Sequence, residues 1–219
     1  MKKHLYLLFL CLTVSPCLAM EDLFEEKTFP SSKIKGLKFK IDGGSIDIKP
    51  SNEENSKIRF KKNNNKGDVK IFLDKEELNI ESTNSPNGGF IVDYEVFVEK
   101  ETPVSITTGS SKITVEEMGD LDVMAGTLKL KAKNLSGNNN FQFASGEAEI
   151  DYNDIPNHSM SSHINSASGK ITFFFPSNAS VKINSVRPNL VESDFSSSLK
   201  ALFPIVFNSV SGKLIIKKK

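Results

Sequence analysis

Residues 143–152 read FASGEAEIDY, residues 166–176 read SASGKITFFFP and residues 209–219 read SVSGKLIIKKK. In each, a serine and a glycine separate two stretches that alternate between apolar and polar residues. Apolar residues stand two and four positions after the glycine: Ala148 and Ile150, Ile171 and Phe173, Leu214 and Ile216. A period of two is the signature of a strand with one buried face. A glycine inside such a pattern marks a sharp bend or a close approach of another backbone.

The pattern extends toward the N-terminus. Gly44 is followed by Ile46 and Ile48, Ser111 by Ile113 and Val115, and Gly126 by Leu128 and Leu130. The residue five positions before each of these six anchors is apolar as well: Phe39, Ile106, Leu121, Phe141, Ile164 and Phe207. From Ser111 onward the anchors are 15, 20, 23 and 43 residues apart, so the last gap is close to two units. One strand–corner–strand unit cannot bury its apolar face alone, but a stack of them shares a continuous core. The sequence therefore predicts an all-β chain: a parallel β-solenoid or β-roll of about five or six coils with an N-terminal β-meander cap. Stacking on the anchors places Ile113, Leu128, Ala148 and Ile171 in one inward ladder and Val115, Leu130, Ile150 and Phe173 in the next. The outward ladders are then Thr114, Lys129, Glu149, Thr172 and Glu116, Lys131, Asp151, with opposite charges on adjacent layers. Helix is expected to be minor, with 190–202 the segment that would most readily form one.

The chain is expected to be exported. Lys2 and Lys3 precede an uncharged apolar run from Leu5 to Val14, and Cys17-Leu18-Ala19 offers small residues where a signal peptidase cuts. That run is too short to span a bilayer, so residues 1–19 read as a cleaved signal peptide. Lipoprotein anchoring at Cys17 is the competing reading, and Pro16 directly before the cysteine fits it poorly. Residues 20–32 form a polar leader and residues 33–219 a single domain. The destination is the periplasm, the cell surface or the medium. Cys11 and Cys17 are the only cysteines, so the mature chain has none to pair and must hold itself together by packing and hydrogen bonds. No later apolar stretch is long enough for a transmembrane span.

Composition narrows the partners. The chain has 28 Lys and Arg against 27 Asp and Glu, and two of the lysines belong to the targeting segment. A nucleic-acid binder would show a clear basic excess. The 16 Phe, against 3 Tyr and no Trp, point to a Phe-filled interior rather than an aromatic binding surface. His158 and His163 lie in HSMSSH without a carboxylate or cysteine at metal spacing. Glu147, Glu149, Asp151 and Asp154 form a carboxylate row of the kind that cleaves glycosides, but three of them alternate outward on one strand, as a solvated charged face does. Neither group is read as a site. No catalytic residue, no metal ligand and no cofactor is predicted, and the chain is read as not an enzyme.

Residues 177–206 interrupt the repeat. Within them Val186, Leu190, Phe195, Leu199 and Phe203 are candidate partner contacts, apolar residues on a segment protruding from a rigid scaffold. The other reading is a long cap whose apolar residues cover the open side of the core. The C-terminal strand, with Lys217-Lys218-Lys219, is expected to be a lysine-guarded edge.

The run VEKETPVSITTGSSKITVEEMGDLDVMAGTLKLKAKNL over residues 98–135, with the three Ser-Gly corners above, resembles the bacterial putative-adhesin domain, a domain-of-unknown-function family of secreted or surface β-solenoid proteins. FKIDGGSIDIKP at 39–50 and ELNIES at 77–82 are similar too, so the resemblance covers about residues 33–219. It implies a fold and an envelope setting, and it supplies no catalytic residues. The expected function is a non-enzymatic adhesin or protein-interaction scaffold whose partner, a protein or surface ligand, is unknown. A self-associating structural envelope protein and a carbohydrate-active β-helix enzyme are the alternatives.

Overall fold

The structure, a computed structural model, describes residues 24–64, 67–84, 90–154, 160–196 and 203–219. The expected signal peptide, Leu199 and His158 lie outside them. In chain order the strands are β1 (Glu25–Pro30), β2 (Gly36–Pro50), β3 (Asn55–Lys62), β4 (Gly67–Asp74), β5 (Glu77–Asn84), β6 (Val92–Val98), β7 (Val104–Glu116), β8 (Leu121–Lys133), β9 (Asn139–Asp151), β10 (Ser162–Ser166), β11 (Lys170–Phe175), β12 (Val181–Ser185), β13 (Val191–Ser193), β14 (Phe203–Ser209) and β15 (Lys213–Lys218). The only helical pieces described are 3-10 turns at Ser31–Lys33 and Pro188–Leu190. The protein is all-β, built on one large, mostly parallel sheet.

Four long strands organise it. β2, β7, β8 and β9 lie side by side in parallel, and each bends near its middle. Their first halves belong to a first wing, ordered β4-β5-β2-β7-β8-β9-β10-β14-β12. Their second halves belong to a second wing, ordered β1-β3-β6-β2-β7-β8-β9-β11-β15-β13. Inward side chains of the two wings meet in one core: Phe39 packs edge-on against Tyr94 at 5.8 Å, and Phe203 against Phe175 and Tyr152 at 5.2 and 5.4 Å.

Three bends require glycine. Gly44, Gly146 and Gly169 have φ of +133°, +140° and +139°, and a Cβ on Gly44 or Gly146 would lie 1.9 Å from a carbonyl oxygen of the neighbouring strand. L-residues rarely adopt that backbone, and the next layer leaves no room for a side chain.

The expected register holds at five of the six layers and fails at one. Gly44 pairs with Ser111, Ile171 with Ala148 and Leu214, and Phe173 with Ile150 and Ile216, as the anchors predict. On β8 the anchor position is Leu128, which pairs with both Ser111 and Gly146, and Gly126 sits two residues earlier over Gly109. The inward ladders are therefore Ile113-Leu130-Ala148 and Val115-Ala132-Ile150, with Val123 in place of Leu121 beside Phe141. A slip of two keeps every apolar residue on the core side, so alternation alone cannot detect it.

Two further expectations change. The N-terminal cap is not a simple meander, because the bent β2 gives its halves different neighbours: the β4–β5 hairpin flanks the first and β6, β3 and β1 the second. β1 also takes up part of the leader read at 20–32. The gap of 43 is not two successive units. β14 and β15 stack directly on β10 and β11, and the intervening β12 and β13 lie outside them. The lysine-bearing β15 is thus an inner strand rather than the expected guarded edge.

Candidate functional site

The irregular segment is mainly a cover. Phe203 is 1% exposed in the core, which corrects its reading as a contact residue: β14 is an inner strand and turns it inward. Leu190 and Phe195 are half-buried against the core, Phe195 edge-on to Phe175 at 6.2 Å with the Lys218 ammonium 5.1 Å over its ring. Val186 is 75% exposed. Of the described candidates, only Val186 is positioned to touch a partner freely.

The two wings present different outer faces. On the second wing the outward rows run Lys112-Lys129-Glu147-Lys170-Lys213 and Thr114-Lys131-Glu149-Thr172-Ile215. Lys131 thus stands beside Glu149, where the anchors had predicted Lys129. Glu116 pairs with Lys133 at 3.6 Å and Asp151 with Lys219. Asp154 lies in the loop after the strand, so the row Glu147, Glu149, Asp151, Asp154 is not one aligned set.

On the first wing the rows are Lys38-Ser105-Asp122-Asn140-His163-Val206 and Lys40-Thr107-Met124-Gln142-Asn165-Asn208. Amides and hydroxyls replace charge over β9, β10 and β14, while Lys38, Lys40 and Asp122 remain on β2 and β8. A groove of about 560 Å³ runs across the strand starts, from Gly36 and Glu77 past Pro103 and Ser105 to Asp120, Asp122, Asn138, Asn140, His163 and Asn165. Its side chains are tied between layers. Asn140 Nδ2 donates to Asp122 Oδ1 at 3.0 Å, and Asn208 Nδ2 to Asn165 Oδ1 at 3.1 Å. The Ser161 N–H and hydroxyl donate to Asn138 Oδ1 at 3.0 and 2.9 Å, and the Asn138 N–H to Asp120 Oδ1 at 2.6 Å. No group of three or more His, Cys, Asp and Glu able to hold a metal occurs among the described residues.

Beneath the groove, Asn139 is buried on the inward side and donates to the Tyr152 hydroxyl at 2.6 Å. Burial pushes the Tyr152 phenol well above its ordinary range, and the Asn139 hydrogen bond offsets part of the rise. Burial also raises Tyr94, to about 12.

The groove residues other than His163 had not been singled out in the sequence. The signal was there: Gly119-Asp-Leu-Asp and Gly137-Asn-Asn-Asn align once the register of β8 on β9 is known. Read in the slipped register, the two tetrapeptides do not meet.

No family profile and no curated protein matches the chain. Solved structures do. A putative cell adhesion protein from Clostridium sporogenes aligns at 16% identity and TM-score 0.45, over 90% of this chain and 100% of that one. A putative adhesin from Bacteroides fragilis aligns at 9% identity and TM-score 0.47, over 90% and 97%. A putative adhesin from Parabacteroides merdae aligns at 13% identity and TM-score 0.31, over 89% and 96%. Identities this low carry no residue roles across. The chain is similar to bacterial proteins described as putative adhesins, the resemblance its Ser-Gly corners carry in sequence.

Proposed function

We propose that the chain is an exported, non-enzymatic β-solenoid that serves as an adhesin-like binding scaffold of the cell envelope. Its coils would be β2, β7, β8, β9, β10 with β11, β14 with β15, and β12 with β13, one more than the five or six expected. The observation that supports this most is the pair of unlike outer faces on one stack. A charged, laddered face keeps the stack soluble, and an amide- and hydroxyl-bearing face with a groove is free to bind. A long parallel stack with a Phe-rich core is a stiff base from which to present such a face.

Cell fractionation tests the setting: the chain is expected in the envelope or the medium, and recovery of the full-length chain from the cytoplasm would overturn the proposal. A polysaccharide depolymerisation screen, with and without calcium, tests the non-enzymatic part, where chain shortening would overturn it. A self-associating structural role is the second reading. It is favoured by the outermost strands β1, β4, β12 and β13, each with one pairing neighbour among the described residues. Size in solution separates the two, since a scaffold stays monomeric as concentration rises.

A further inference from the structure

We propose that the groove on the first wing is a trough for a linear, uncharged polysaccharide laid along the stacking axis. The assignment rests on the scaffold reading above and names the ligand of that scaffold.

Length comes first. The groove is lined in turn by residues of β5, β2, β7, β8, β9 and β10 and the loops leading into them. Six strands about 4.8 Å apart span roughly 24 Å, which suits a chain rather than a small molecule. The period is informative too. One hexose of an extended glycan is about as long as this spacing of roughly 4.8 Å, so successive sugars would meet successive strands. An extended peptide advances about 3.4 Å per residue and turns alternate side chains away, so it would fall out of step.

The chemistry agrees. The walls offer the carboxylate of Asp122, the amides of Asn138, Asn140 and Asn165, the Ser105 hydroxyl and the His163 imidazole. Sugar hydroxyls both donate and accept, and so do these groups taken together. An Asn amide has two donor hydrogens and two acceptor lone pairs, and each interlayer bond uses only part of that capacity. The same bonds hold the amides in place before any ligand arrives, which lowers the ordering cost of binding.

Charge excludes the acidic alternatives. Among the described residues that line the groove there is no Lys or Arg, while Glu77, Asp120 and Asp122 are acidic. Lys38 lies 3.6 Å from Glu77 and compensates one of the three. A uronate, sulfate or phosphate polymer would meet net repulsion there.

Affinity electrophoresis tests the assignment, with a soluble neutral β-glucan, a galactomannan and, as the acidic counterpart, alginate in the gel, at low and high salt. The expected result is retardation by at least one neutral polymer, unchanged by salt because hydrogen bonds rather than ion pairs carry it. An Asn140→Ala, Asn165→Ala double variant should bind about tenfold more weakly. Both side chains lie on the outer face, so the variant should melt with the parent. Glu149→Gln on the other wing should bind as the parent does. Absence of retardation by both neutral polymers, retardation by alginate alone that salt abolishes, or an unweakened double variant overturns the assignment. Binding of the chain to whole cells is measured alongside. If it persists without retardation, the groove assignment fails and the scaffold reading stands; if neither occurs, the scaffold reading fails with it.

Discussion

The two outer faces are made by the same four strands, yet one is charged and the other is dominated by amides and hydroxyls. On β9, Glu147, Glu149 and Asp151 point out on the second wing, while Asn140 and Gln142 point out on the first. Core packing cannot demand the difference, because both sets lie outside. Charge is the ordinary way to keep a sheet face from sticking, and the second wing uses it with both signs present: Lys129 and Lys170 flank Glu147. The first wing gives up that protection just where a groove crosses it. A face with fewer charges and with amides held in order by hydrogen bonds between layers is the better place to look for a ligand.

The bend that separates the faces is the first thing to break. Gly146→Val puts a side chain at φ +140° with its Cβ 1.9 Å from the Leu128 oxygen, and should cost several kcal/mol, about 3 or more. Chemical denaturation should show the loss, and a variant that melts within a degree or two of the parent would mean that β9 does not bend there. At the end of the stack, Phe195→Ser should cost about 2 kcal/mol through lost packing on Phe175, and lower the melting temperature by about 5 °C. Val186→Ser, at an exposed site, should leave it unchanged. Equal effects would dissolve the distinction between cover and contact drawn for this segment.

Between the wings lie Tyr152 and Tyr94, whose phenols are raised in the folded state. A raised folded pKa means that the native state holds its proton where the unfolded chain has released it. The stabilisation is complete below the unfolded value of about 10 and is lost as pH climbs above it toward the folded values. Melting temperature should therefore fall steeply above about pH 10, and less steeply in Tyr152→Phe; an unchanged slope would mean that the phenol is not confined. The smallest effect belongs to the charged face. Glu149→Gln should change stability by at most roughly 1 kcal/mol, because an exposed carboxylate beside Lys131 contributes little, and a larger loss would show that the face does more than keep the stack soluble.

Much of this was legible in the residues. Alternation around Ser-Gly corners gave the all-β class, the inward ladders of β9, β11 and β15, and the bends at Gly44, Gly146 and Gly169. The two-residue slip on β8 was not visible to alternation, since every second position looks alike from the core. Aligning TTGSSKITVE with MAGTLKLKAK on Gly109 and Gly126 gives the observed spacing of 17. That alignment follows glycine to glycine rather than corner to corner. The groove stayed hidden for the same reason: its rows exist only when Asp122 stands beside Asn140, and one slipped strand scatters them. The place of β12 and β13 could not be read at all, because nothing local in a strand says that a later strand will slide in beneath it.

That last arrangement has a consequence for how the chain comes to its final form. Residues 181–193 are made before residues 203–218, yet they rest on them. A chain emerging N-terminus first can add β2, β7, β8, β9 and then β10 and β11 one after another, each on a finished neighbour. It must then hold the next segment in reserve until β14 and β15 have docked. Docking in sequence order would place 181–193 on the bare edge of β10 and β11, in the seat that belongs to β14 and β15. The pairings of β10 with β14 and β11 with β15 join residues 43 apart, and such distant partners are slow to find each other. The outermost layer at that end is therefore the last to be added although it is not the last in sequence, and until β14 and β15 dock the growing end of the stack remains an open template for other strands.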